Sequence, residues 1–377
     1  MRRGLIIVST AVVMIVGWAG AASAAAGWAI QPSNAGGGSV LHGVSCLSPA
    51  SCVAVGAQNS GTLAESWDGT TWTVQPAPNP SGATYKQLVS VSCASATSCT
   101  AVGWFNNPAG GLSPLIEHWD GSTWAIQATP IPVGAVSVHL MSVSCAPATN
   151  CTAVGSFARK FSTANVDRPL AERWNGSQWR IEAVPMPSGS VAAALSGVSC
   201  RSSRSCTATG SYNLYPREPN SQTLAEHWDG TTWTIQATPN AAGATENGLS
   251  GVSCASLTSC TAVGSYQIGS PNGQLLAEHW DGTAWTIQAA PVPAGTTSSG
   301  LGSVSCVTPA NCTAVGSTSA GLLAEHWNGS TWAIEHVPSP AGSVAVALET
   351  ISCTLGTSCT AVGQYFHNNY KALIEAR

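Results

Sequence analysis

Charge is what this chain has least of. Of its 377 residues only 8% are Asp, Glu, Lys or Arg, against about a quarter in an ordinary soluble domain. Disorder maintained by charge repulsion is thereby excluded, and so is nucleic-acid binding through a basic footprint. The formal net charge is −4, and losing Arg2 and Arg3 with a leader makes the remainder more acidic, so polyanions are poor candidate partners. Aspartate is scarce too. Asp68, Asp120, Asp229 and Asp281 each precede a glycine, which leaves only Asp167 outside a turn signal. There is no Gly-x-Ser-x-Gly elbow, His-Glu-x-x-His pair, dinucleotide or phosphate loop, or calcium loop, so the enzyme classes built on those motifs drop out. Past residue 24 no run of 18 apolar residues occurs, and no membrane-crossing helix is expected there.

What is plentiful is 39 Gly, 22 Pro, 14 Cys and 15 Trp, a composition of short strands and tight turns. The first two dozen residues read as an export signal. Arg2 and Arg3 supply the positive start, and Leu5 to Trp18 form an apolar stretch too short to span a bilayer. Ala22-Ser23-Ala24 then matches the small-x-small cleavage pattern. We expect residues 1–24 to be removed and residues 25–377 to form one secreted, extracellular or envelope-associated domain. No cysteine lies near the cleavage site, so no lipid anchor is expected.

The cysteines fall into seven pairs: Cys46/Cys52, Cys93/Cys99, Cys145/Cys151, Cys200/Cys206, Cys254/Cys260, Cys306/Cys312 and Cys353/Cys359. The spacing within each pair is always six, and successive pairs lie 47 to 55 residues apart, the length of a four-stranded propeller blade. In an exported chain an even count at one repeated spacing indicates disulfides. Each is expected to close one hairpin, in place of core that a small blade lacks. Such a short loop contributes about 2–2.5 kcal/mol on the chain-entropy model.

Every repeat carries four strand signals. Strand a ends in Val-Ser-Cys, as at Val91 to Cys93, and strand b is Cys-Thr-Ala-Val-Gly, as at Cys99 to Gly103. Strand c is Leu-Ala-Glu-His-Trp (Leu224 to Trp228), and strand d is Thr-Trp-Thr-Ile-Gln (Thr232 to Gln236). The Asp-Gly or Asn-Gly between c and d predicts a two-residue hairpin turn with both residues at positive φ. Gly27-Trp28-Ala29-Ile30-Gln31 matches strand d, and Leu373-Ile374-Glu375 at the other end matches strand c. The order is therefore d, six abcd units, then abc. That order predicts an all-β, seven-bladed β-propeller of four antiparallel strands per blade, closed by its N-terminal strand and carrying one disulfide per blade.

With Ser-Cys-x5-Cys-x-Ala-Val-Gly and Trp-Asp-Gly-x-x-Trp repeated throughout, the chain resembles secreted bacterial seven-bladed β-propeller proteins of actinobacterial type. The resemblance covers essentially all of residues 25–377 and implies a fold. For activity it implies little, since propellers host binding modules, scaffolds and enzymes.

Recurring side chains are read structurally. A glutamate occupies one strand-c slot in all seven repeats (Glu65, Glu117, Glu172, Glu226, Glu278, Glu325, Glu375), and is expected to accept backbone or indole N–H bonds between blades. His118, His227, His279 and His326 share the next slot but radiate around a ring, so no metal and no cofactor are expected. The variation lies between strands b and c, where aromatics gather: Trp104, Phe105, Phe157, Tyr212, Tyr215, Tyr266, Tyr365 and Phe366. Arg159, Arg217 and Lys371 accompany them. Aromatic and cationic side chains on loops held by a rigid scaffold suit a binding face. The expected function is a monomeric, non-catalytic binding module whose b–c face takes a surface polysaccharide or an extracellular protein. The alternatives are an extracellular carbohydrate-active enzyme of glycosidase or lyase type on the same face, and a passive scaffold.

Overall fold

The computed structural model describes residues 27–161, 164–214, 220–269, 272–355 and 357–377; the expected leader lies outside them. The described residues form 28 strands and no helix. Val-, Thr-, Ile- and Trp-rich segments broken by Gly and Pro favour this outcome. Each repeat builds one antiparallel four-strand unit in the order a-b-c-d. In repeat 2 the strands are Lys86–Ser95, Ser98–Asn106, Leu112–Trp119 and Trp124–Ile126. Five sheets have four strands, and a sixth has eight because repeats 4 and 5 share a single parallel bridge, Ser221 to Glu246. The strand Ala29–Gln31 pairs antiparallel with Asn369–Ala376, Ile30 facing Glu375, and so supplies the fourth strand of the last sheet.

The cores lie between units rather than inside them. Val55 and Ala64 of repeat 1 pack with Leu88, Leu115 and Trp124 of repeat 2. Val362 and Ile374 of repeat 7 likewise pack with Leu41 and Trp72 of repeat 1. Strand c therefore has both faces covered, with Leu224, Ala225 and Glu226 all buried.

Two series of hydrogen bonds tie neighbouring repeats. The serine before each first cysteine accepts from the next repeat's cysteine N–H at 2.9–3.0 Å: Ser45 from Cys93, Ser92 from Cys145, Ser144 from Cys200, Ser199 from Cys254, Ser253 from Cys306 and Ser305 from Cys353. The seventh bond runs from Cys46 N–H to Ser352 and joins the first repeat to the last. In the second series each strand-d indole donates to the glutamine that ends the previous strand d, as Trp72 does to Gln31 and Trp124 to Gln75. Trp28 completes this series by donating to Glu335 at 2.9 Å. One link is open. Glu182 stands where a glutamine is expected, and Trp233 Nε1 has no partner.

All seven disulfides form between the expected pairs, with Cα atoms 3.9–4.1 Å apart. Each closes its a–b hairpin as expected, and its second sulfur also reaches beyond that hairpin. The second cysteine of each pair (Cys52, Cys99, Cys151, Cys206, Cys260, Cys312 and Cys359) is only 1–3% exposed and belongs to the core between repeats. The reason is alternation: strand b turns this sulfur toward the preceding repeat, where a threonine meets it. Thr100 Oγ1 lies 3.7 Å from Cys151 Sγ, Thr152 3.6 Å from Cys206, and Thr207 3.7 Å from Cys260. Thr261 is likewise 3.7 Å from Cys312, and Thr313 is 3.8 Å from Cys359. Thr360 of the last repeat stands 3.8 Å from Cys52 of the first. Cys99 has no such neighbour because Val53 holds the threonine slot in repeat 1. These cysteines therefore serve packing between units as well as hairpin closure.

The c–d turn also differs from expectation. Trp67 pairs directly with Trp72, so four residues intervene, and only the glycine has positive φ (Gly69, +95°). The Asp68 carboxylate organises the turn by accepting the Thr70 and Thr71 N–H groups, each at 2.8 Å. A side chain that caps its own turn removes the need for a second left-handed residue. The pattern of two successive positive-φ residues instead occurs at Asn59-Ser60, between strands b and c of repeat 1.

In every repeat strand a is bulged just after its leucine, among other register shifts. The bulge leaves one residue without a partner on strand b. Those residues are His42, Val89, Met141, Ser196, Ser250, Gly302 and Glu349.

Candidate functional site

All seven bulge residues, with neighbours from strand a of repeats 2 to 7, line one cavity of about 550 Å³. Most of the lining is Ser, Gly and Val, as the a-strand sequences require. The exception is an acid–base pair. His42 Nδ1 lies 2.5 Å from Glu349 Oε2, and Gln364 donates to Glu349 Oε1 at 3.2 Å. These residues escaped the sequence reading. Their signal is positional: His42 and Glu349 hold the same bulge slot in the first and last repeats, where other repeats carry small or apolar residues.

The b–c edge holds the expected ligand residues, on strands rather than on loops. Strand b continues beyond its glycine to carry Trp104 and Phe105 (Ser98–Asn106), Phe157 and Arg159 (Cys151–Phe161), Tyr212 (Ser205–Leu214), Tyr266 (Ser259–Gln267), and Tyr365 and Phe366 (Ser358–His367). Lys371 lies on the following strand c, Asn369–Ala376. Tyr215 and Arg217 lie outside the described residues. Alternation then sorts the aromatics. Phe105, Phe157, Tyr212, Tyr266 and Tyr365 all stand two residues after the glycine and pack partly buried against the inter-repeat cores. Trp104 stands one residue after its glycine, on the other face. Its ring lies 5.4 Å from Tyr85 and 6.0 Å, edge-on, from His139 of the next repeat. The Tyr85 hydroxyl donates to Gln87 at 2.9 Å, and Gln87 lines the cavity. Tyr85 and His139 were missed because each stands alone in its own segment.

The other candidates form separate contacts. Arg159 donates to the Val133 carbonyl at 2.6 and 3.1 Å and approaches the Phe157 ring at 5.8 Å. Lys371 Nζ is 6.0 Å from the Tyr365 ring centre, and Phe366 meets Tyr370 edge-on at 5.3 Å. The candidates therefore do not converge on one pocket.

The strand-c glutamates overturn one expectation. Among the described residues no indole reaches them: bonded strand-d indoles go to the previous strand-d glutamine or, for Trp28, to Glu335, while Trp67, Trp119 and Trp228 donate to backbone carbonyls. All seven are fully buried, yet both carboxyl oxygens of Glu117, Glu226, Glu278, Glu325 and Glu375 lack a partner. Two are met by the preceding d–a segment, Glu65 at both oxygens and Glu172 at one, its Oε1 remaining without a partner. Glu65 accepts from Ser33 Oγ at 2.9 Å and from Asn34 N–H at 3.0 Å, and Glu172 accepts from Thr129. Ser33 and Thr129 stand two residues after the strand-d glutamine, where other repeats have Ala77, Val184, Ala290 and Val337. Thr238 has the hydroxyl but bonds Thr223 instead. Burial without compensation pushes the five bare carboxyls up to about 8. Glu172, with its one hydroxyl, reaches about 7. Burial lowers His118, His227, His279 and His326. Among the described residues no group of three His, Cys, Asp or Glu side chains is placed to hold a metal ion.

No family model and no curated protein matches the chain. Solved structures do. YCF48 bound to D1 peptide aligns with a TM-score of 0.55 at 13% identity, over 93% of this chain and 96% of that one. YCF48 from Cyanidioschyzon merolae aligns at 0.54 and 15%, over 93% and 99%. A PL25 ulvan lyase bound to -[GlcA(1-4)Rha3S]- aligns at 0.56 and 8%, over 87% and 90%. At such identities the likeness concerns fold alone: repeated four-strand antiparallel blades in a propeller-like arrangement. No helix among the described residues is long and apolar enough to cross a membrane.

Proposed function

We propose that the chain is a secreted, seven-bladed β-propeller, closed by its N-terminal strand, that acts as a binding module for a polysaccharide or an extracellular protein on its b–c face. The closed ring is supported by the Ser–Cys hydrogen-bond series that returns from Cys46 to Ser352. It is supported also by a cavity drawing on strand a of every repeat. Seven disulfides favour an oxidising, extracellular location. The observation that carries the ligand face is the half-buried Trp104–Tyr85–His139 group beside Gln87. No repeat slot calls for Trp104, and no core cluster contains it. The solved neighbours, one with a peptide and one with a saccharide, are compatible with either partner.

A pull-down of oxidised protein against cell-wall and environmental polysaccharides, with Trp104→Ala alongside, tests this reading. Binding that Trp104→Ala loses supports it. Unchanged binding moves the site elsewhere, and no binding by either protein favours a protein ligand or a passive scaffold.

A second reading, a carbohydrate-active enzyme, draws on one observation. His42 and Glu349 form an acid–base pair within a cavity large enough for a small ligand. Release of reducing ends from a polysaccharide, abolished by Glu349→Gln, would establish it.

A further inference from the structure

On the same edge, where the N-terminal segment meets the last repeat, a pocket of about 380 Å³ opens among Gln31, Gly36, Gly37, Pro340, Tyr365 and Lys371. That size lies within the usual range for small-ligand sites, roughly 300–1,000 Å³. The pocket exists because a glycine run is pressed against the last strand c. Gly38 N–H donates to the Tyr370 carbonyl at 2.9 Å, and a Cβ on Gly37 would lie 2.3 Å from Asn369 Nδ2. A side chain there would displace the Asn369 amide.

The polar groups of this pocket are mainly donors. Gln31 Oε1 is taken by the Trp72 indole at 2.8 Å, so the amide offers its NH₂. Lys371 takes part in neither of the ion pairs among the described residues, which join His42 to Glu349 and Arg377 to Glu335. No acidic side chain lines the pocket. An uncompensated ammonium and an amide donor beside an aromatic ring select a ligand with an anionic acceptor and an apolar face. Pro32 and Pro340 in the wall have no N–H, so an extended peptide finds few main-chain partners there. A pyranose ring needs none.

We propose that this seam pocket binds an anionic saccharide, a pyranose bearing a carboxylate or sulfate, with Lys371 and Gln31 on the anion and Tyr365 against the ring. The proposal rests on the reading of the b–c face as a ligand surface and narrows it.

Calorimetric titration of the oxidised protein with trigalacturonate, its methyl ester and a sulfated galactose trisaccharide tests it. One or both anionic sugars should bind at least about tenfold more tightly than the ester, the margin of a charge-assisted hydrogen bond. Lys371→Gln should reduce that preference to near unity, and Lys371→Arg should retain it. Neither anionic sugar binding more tightly than the ester, or a preference that Lys371→Gln leaves intact, overturns the proposal. So does Lys371-dependent binding of a peptide with a free C-terminal carboxylate when no sugar binds. Saccharide binding lost with Trp104→Ala but kept with Lys371→Gln removes this pocket while the broader reading stands.

Discussion

Seven glutamates in one slot differ by what stands opposite them. Where the d–a segment offers Ser33 or Thr129, the carboxyl is bonded; where it offers alanine or valine, it is bare. Ala290→Thr should therefore place a hydroxyl against Glu325 and stabilise the fold by about 1 kcal/mol in urea unfolding. Ala289→Thr, next to it but exposed beyond the end of strand Trp285–Gln288, should not. The same slot governs pH dependence. The bare carboxyls keep their protons in the folded chain up to about pH 8, but an unfolded glutamate releases its proton near 4.5. Between those values the unfolded state holds fewer protons, so stability falls as pH rises. The turn aspartates act from the other side. Hydrogen bonds from threonine or serine hydroxyls and backbone N–H groups hold Asp68, Asp120, Asp229 and Asp281 at about 2. Their stabilisation is complete above 3.8 and is lost as pH falls toward 2. The melting temperature should peak at about pH 4–5 and decline toward pH 8. Glu226→Gln should make that decline shallower. A flat profile from 5 to 8 would show that the carboxyls are ionised inside the fold.

At the level of the strand, the glycine within each strand b is set by the bulge across from it. A Cβ on Gly264 would lie 2.0 Å from the Gly248 carbonyl oxygen, whereas a Cβ on Gly248 meets nothing nearer than Ser211 Cβ at 3.8 Å. Gly264→Ala should cost about 3 kcal/mol or more because the obstacle is backbone, while Gly248→Ala should be tolerated. Chemical denaturation of the two variants gives the comparison. Repeating units made most of this architecture legible: cysteine spacing fixed the disulfides, and the flanking strand-d and strand-c fragments foretold the Ala29–Gln31 pairing. Five things stayed hidden for physical reasons. Spacing pairs Cys206 with Cys200 but says nothing of Thr152, which reaches Cys206 from another repeat. The c–d turn was misread because a capping carboxylate and a left-handed pair begin with the same Asp-Gly. The b–c residues passed for loops because irregular length masks a continuing hairpin. Five aromatics two residues after the strand-b glycine form a packing slot that only alternation reveals, so they resemble ligand residues in the bare sequence. His42 and Glu349, 307 residues apart, meet only once the repeats are assembled.

The whole molecule depends on links that cross from its last repeat to its first. Deleting residues through Gln31 would leave the edge of Asn369–Ala376 unpaired and the Trp72 indole without its acceptor. Exposed sheet edges recruit other chains, so the deletion should shift the protein to oligomers that grow with concentration on size-exclusion chromatography. A monomeric, equally stable deletion would mean that this strand is dispensable. The buried carboxyls act at this scale as well. Composition assigns the chain −4, a count that treats every glutamate as ionised. Without the two positive charges of Arg2 and Arg3 the remainder starts from −6 rather than −4, and five carboxyls that titrate near 8 raise it to about −1 at neutral pH. Folding thus discharges the protein, and the native form should focus at a higher isoelectric point than the urea-unfolded chain. Seen from solution, the molecule is close to electrically silent, and an anion nearing Lys371 meets little of the repulsion that composition alone implies.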